Sequence, residues 1–160
     1  VVMLMRLQNS EFIQKRRLSQ DIEISNRFQQ MMIPDLLPVL PGWKIDVRFH
    51  SNRDVRSEFH DLLVLPDGKL MLVLGKMMGT GMVCSFNIAS LRAAFRSMAV
   101  LSIPPADALR QCNALIMHEL QPGNRIGCVF SILDPENGTF TYAAAGQQQV
   151  AELTWTVQAQ

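Results

Sequence analysis

The feature that most narrows the folds open to this 160-residue chain is a pair of hairpin signals with two helices between them. Asp61–Leu65 and Lys69–Leu74 are apolar runs joined through Pro66-Asp67-Gly68, a strong short-range turn signal. "IGCVFSILDPENGTFTYAAAG" repeats the layout further on and turns at Asp134–Gly138. Between the hairpins, Met82–Leu101 has the composition of a long packed helix. Pro104-Pro105 then opens a second helix reaching Leu120, since proline is tolerated in a first turn. Strands that come in antiparallel hairpins, with two helices inserted together, point to an α+β fold and not to a doubly wound parallel sheet.

The N-terminal stretch has a different rhythm. From Leu7 to Ile33 the apolar residues recur at helical spacing: Leu7, Leu18, Ile22, Phe28 and Met32 fall on one side, widened by Ile13, Ile24 and Met31. A stripe that wide exceeds one packing face, so a homodimer through this amphipathic helix is expected, with Leu18, Ile22, Phe28 and Met32 as its contact residues. Pro34, Pro38 and Pro41 end the helix. The expected organisation is residues 1–33 as a linker and dimerisation helix and 34–160 as the main domain, opening with an alternating β-run at Trp43–Phe49.

Charge and composition exclude several functions. Fifteen Lys and Arg against fourteen Asp and Glu leave a net charge of +1, too little to draw the chain to nucleic acid or an anionic membrane. No apolar run approaches the roughly 20 residues of a membrane span. Val1–Arg6 is too short for a signal peptide. Cys84, Cys112 and Cys128 lack CxxC spacing and sit in apolar contexts, which fits a reducing cytoplasm. His50, His60 and His118 match no zinc-ligand spacing. "GKMMGTGM" is not a nucleotide loop, because its lysine precedes the glycine turn instead of closing it before a Ser or Thr.

"LVLGKMMGTGM" (Leu72–Met82) nevertheless has the strand, glycine turn and helix layout that usually holds an ion, and its first residue after Gly75 is Lys76. With "IEISNRFQQMMIP", "LPGW", "VRSEFHD", "SLRAAFRSMA", "PADALRQCNAL" and "LDPENGTFTYAAAG", in matching order from about Asp21 to Gln149, it resembles the PPM-type serine/threonine phosphatase domain of the SpoIIE and RsbU kind. The resemblance implies a sandwich of antiparallel β-sheets flanked by helices. It also implies dephosphorylation of small regulatory proteins by a pair of Mn²⁺ or Mg²⁺ ions held on carboxylates. In such relatives the N-terminal helix links an upstream module to the phosphatase.

This chain departs from that pattern where the ions bind. Family members read Gly-Asp-Val-Ser-Gly-Lys-Gly where Gly75-Lys76-Met77-Met78-Gly79-Thr80-Gly81 stands, so Lys76 replaces a bridging aspartate. Gly-Gly-Asp-Phe-Tyr-Asp becomes Arg56-Ser57-Glu58-Phe59-His60-Asp61, leaving Glu58 as the metal ligand if the site is active. The family's Thr-Asp-Gly turn has no counterpart, and Gly-His-Asn-Pro becomes Gly146-Gln147-Gln148-Gln149, so the C-terminal part is expected to be missing or decayed.

The expected vestigial site is Glu58, Asp61, Lys76 and Met77. The Lys76 ammonium would stand in for metal by pairing with Glu58 or Asp61, against the plainer reading of a solvated loop lysine. Met77 and Met78 would face a partner or seal the site. Arg56 is a phosphate-binding candidate, weighed against an ordinary surface arginine. The function expected from the resemblance is a catalytically impaired phosphatase domain that binds a regulatory protein of sigma-factor control, with no cofactor. The alternatives are an active Mn²⁺- or Mg²⁺-dependent phosphatase and a purely structural dimerisation module.

Overall fold

The computed structural model describes residues 2–32, 36–47, 58–79, 81–118, 120 and 125–146, except the side chains of 2–11 and 29. Helix α1 spans Val2–Met32, followed by strands β1 (Glu58–Val64) and β2 (Leu70–Met77). Helices α2 (Gly81–Val100) and α3 (Pro105–Ile116) come next, then strands β3 (Ile126–Asp134) and β4 (Thr139–Ala145). The four strands form one antiparallel sheet in the order β1-β2-β3-β4. The α+β class, both hairpins and the paired helices are as the turn residues and periodicity predict. The segment Trp43–Phe49, expected as a strand, differs: its described part has only a Leu40–Trp43 bridge. Helix α3 ends at Ile116 and not at Leu120, although the Leu120 amide still donates to the Ile116 carbonyl at 3.1 Å.

Alternation along the strands divides the sheet into two faces. Phe59, Met71, Val73, Met77, Cys128 and Phe130 point to the helix side and build the main core with α2 and α3. There Phe95 of α2 stacks on Phe130, ring centroids 5.0 Å apart. Gly75 faces the same way, and its missing Cβ leaves the room that the Phe59 ring occupies. The other face holds Leu62, Leu70 and Leu72 against Leu40, Trp43, Ile45 and Val47, so the segment after the proline linker covers it. The Trp43 indole N–H donates to the Pro135 carbonyl at 3.2 Å and ties that cover to the β3–β4 turn. Among the described residues this cover takes the place where a second sheet of a sandwich is expected.

Helix α1 lies on α2 through its last turns. Ser25 and Ser85, both fully buried, are hydrogen-bonded at 2.6 Å, and Phe28 packs on Phe86 with centroids 5.7 Å apart. Met32 reaches the main core. Residues 12–21 are exposed along their whole length. Two of the four expected dimer contacts, Phe28 and Met32, are therefore engaged within the chain, Ile22 is half-buried, and Leu18 remains 62% exposed. No helix among the described residues is long and apolar enough to cross a membrane.

Candidate functional site

The antiparallel register of β1 and β2 sets Glu58 opposite Lys76, at the end of the sheet that leads into α2. Cross-strand partners on one face lie close enough for their side chains to meet. Here the Lys76 ammonium donates to Glu58 Oε1 at 3.2 Å. The pair sits at the edge of the second face, 38% and 35% exposed respectively. Arg56 lies outside the described residues.

Asp61 does not join this pair. It is an odd number of residues from Glu58 on the same strand, so its side chain points to the opposite, helix-covered face. It is fully buried there, and two arginines of α2 converge on it: Arg92 at 3.0 Å on Oδ1, and Arg96 at 2.5 Å on Oδ2 and 2.8 Å on Oδ1. Burial pushes the Asp61 carboxyl up, but the hydrogen bonds from Arg96 and Arg92, backed by their charges, outweigh it and hold the group below the usual range. The expected Lys76–Asp61 contact is thus replaced by a clamp between α2 and β1. The arginines' four-residue spacing in "SLRAAFRSMA" is the signal that points to them, since it puts both on one helix face.

Met77 also departs from expectation. It alternates away from Lys76 into the main core and is fully buried, whereas its neighbour Met78 is exposed. The Met78 amide donates to the Arg125 carbonyl at 2.8 Å, which holds the turn against the start of β3. Gly81, at φ 80°, begins α2 in a conformation that favours glycine. His60, expected to be no zinc ligand, is buried. Burial lowers its pKa against the pull of Asp61, and the Arg92 charge lowers it further.

Among the described residues, the donor set at this end of the sheet falls short of what a pair of divalent cations needs. Such ions need several hard oxygen ligands. The described residues place one carboxylate, Glu58, at this end of the sheet, with an ammonium already on it. They also hold no group of three or more His, Cys, Asp or Glu side chains arranged to hold a metal. What the arrangement can do is hold β1 to β2 by charge, with an exposed methionine beside it.

Comparison with known proteins shows the family. The model of the family "Stage II sporulation protein E (SpoIIE)" matches residues 66–154, more than half of the chain. Protein IcfG of Synechocystis sp. is 27% identical over 93 residues, which are 58% of this chain and 15% of IcfG. The crystal structure of the RsbU and RsbW domains of Rv1364c from Mycobacterium tuberculosis aligns with 26% identity and a TM-score of 0.48, over 61% of this chain and 27% of that one. The chain therefore spans only a small part of the length of either relative. From β2 through the second hairpin, it belongs to the SpoIIE family.

Proposed function

We propose that this chain is a catalytically impaired SpoIIE-type domain that works by binding a regulatory protein in bacterial signal transduction, within sigma-factor control. The observation that carries the reading is the Lys76–Glu58 ion pair at 3.2 Å, where the family pattern has two aspartates that share metal. A divalent cation placed beside that ammonium would meet a like charge and lose a bridging ligand. At an effective dielectric near 20, such repulsion costs several kcal/mol. In this reading residues 1–33 form the linker and dimerisation helix, and 34–160 form the phosphatase-like domain. The partner is a phosphorylatable antagonist of an anti-sigma factor or another protein of that pathway, met in the cytoplasm.

The decisive assay offers a phosphoserine peptide with millimolar Mn²⁺ and follows phosphate release, alongside thermal melts with and without the ion. The expected result is no turnover and no metal-dependent rise in Tm. A ligand at a hundred times its Kd would add about 2.7 kcal/mol and be plain in a melt. Turnover that a chelator abolishes would establish the alternative, an active Mn²⁺- or Mg²⁺-dependent phosphatase.

A further inference from the structure

At the opposite end of the sheet from Lys76 and Glu58, the two hairpin turns and the α2–α3 connection enclose a half-open cavity of about 280 Å³. That volume is just below the ~300–1,000 Å³ typical of cofactor and drug-sized sites, and suits a long side chain with its immediate neighbours. The floor is apolar, made by Leu65, Ala99, Ile103, Pro105 and Ile132, several of them part of the main core or packed on it.

The charged groups of the rim carry a net negative charge, among neutral hydroxyls of Ser102, Thr139 and Thr141 that can donate or accept. Asp67 and Asp134 stand on it against one cation, Lys69, whose ammonium is already held by Asp67 at 2.8 Å. The Asp67 hydrogen bond and charge raise the Lys69 pKa, with smaller contributions from the charges of Asp134 and Glu136. Asp134 accepts from the Glu136 amide and the Asn137 side chain, each at 3.1 Å, which leaves acceptor capacity on both of its oxygens.

One helix end acts in the same direction. Ala99 and Ser102 line the cavity at the C-terminal end of α2, where a helix carries partial negative charge. Helix α3 presents its N-terminal end, of opposite partial charge but weakened because Pro104 and Pro105 contribute no amide hydrogens. A cation with an apolar stem would find both halves of its complement.

We propose that this cavity is a docking site for an arginine side chain carried on an apolar-flanked segment of a partner polypeptide. The guanidinium fork presents several donors in one plane to the acceptors of the rim, where a second point-like ammonium beside Lys69 would add only another compact charge. The aliphatic stem lies on the proline and isoleucine floor. The site is separate from the Lys76–Glu58 pair and does not depend on whether that pair excludes metal.

The test titrates the ¹⁵N-labelled chain with acetyl-Ile-Arg-Ile-amide, with the same peptide carrying citrulline in place of arginine, and with arginine amide alone. Saturable shifts of the Ser102, Ile103, Thr139 and Thr141 amides are expected with the arginine peptide. The isosteric but neutral citrulline peptide is expected to bind about tenfold more weakly or worse. Asp67→Asn with Asp134→Asn keeps oxygen acceptors for the turns while removing the charge, and should abolish the preference for arginine. Thr141→Trp, which fills the cavity from an exposed strand position, should abolish the shifts while leaving the melt unchanged. Absence of shifts at millimolar peptide, equal binding of the citrulline peptide, or shifts centred on Glu58 and Lys76 would each overturn the proposal. Arginine amide binding as tightly as the peptide would overturn the polypeptide occupant.

Discussion

Lys76 and Glu58 are each more than a third exposed, so water screens their attraction, and the pair is worth about 0–1 kcal/mol to the fold. Lys76→Met is accordingly expected to lower stability by less than about 1 kcal/mol in urea melts. Lys76→Asp is the more telling change. It sets two carboxylates opposite each other, so the variant should be less stable alone and regain stability with Mn²⁺, which the parent should not do. Asp61 is the opposite case. It is fully buried under two arginines, and removing its charge strands them: Asp61→Asn should cost on the order of 3 kcal/mol, the lower end for a broken buried pair because Arg96 is 41% exposed and can reach water. Because the folded carboxyl is held below its ordinary value, its contribution is complete above the unfolded pKa of about 3.9 and is lost as pH falls through the folded value. Stability of the parent should therefore fall more steeply with acid below about pH 4 than that of Asp61→Asn, as urea melts across that range will read. The different fates of Glu58 and Asp61 follow from strand parity. "EFHD" contains both carboxylates, but the alternation that sends them to opposite faces carries meaning only once the segment is known to be a strand.

At the scale of elements, helix ends show how local chemistry and geometry divide the work. Helix α2 closes with the Ser102 amide on the Ala99 carbonyl at 2.9 Å and the Ile103 amide on the Met98 carbonyl at 3.0 Å, a Schellman arrangement that needs a left-handed residue after the helix. Ser102 fills that place at φ 56°, where glycine is the usual occupant. Ser102→Gly should relieve the strain of the side chain and raise stability by up to about 1 kcal/mol, whereas Ser102→Val should lower Tm, both read by thermal unfolding. The end of α2 is legible to within one residue of Leu101 because Pro104-Pro105 stops any continuation. The loss of the expected strand at Trp43–Phe49 has the opposite origin. Alternation there satisfies a sheet face by laying Trp43, Ile45 and Val47 on Leu62, Leu70 and Leu72, and the packing succeeds without a strand partner among the described residues.

For the whole molecule, assembly centres on α1. Its 31 residues extend about 46 Å. Among the described side chains, those of the last turns lie on α2, while residues 12–21 stand clear with Phe12, Ile13 and Leu18 exposed. A helix so poorly covered gains little from tertiary packing, and pairing with a second copy would supply what the chain lacks. Light scattering at high micromolar concentration should give a dimer mass, and Leu18→Glu should shift it to the monomer with a Tm that no longer rises with protein concentration. Monomer behaviour of both proteins would show that the stripe serves no self-association. Phe28 is unsuited to that test, because its ring already packs on Phe86. By itself the sequence determined the parts of this protein: where each hairpin turns, that two helices stand between them, and that α1 ends at its prolines. Those are outcomes of turn residues, periodicity and motif order, all written within a few neighbouring positions. Only the tertiary structure decided the partners. Lys76 takes Glu58 because the register of two strands sets them opposite each other. Asp61 takes Arg92 and Arg96, 31 and 35 residues away, because α2 crosses its face of the sheet. Met77 is core and Met78 is surface for the same reason, since a side chain's burial depends on what is folded over it and not on its own chemistry.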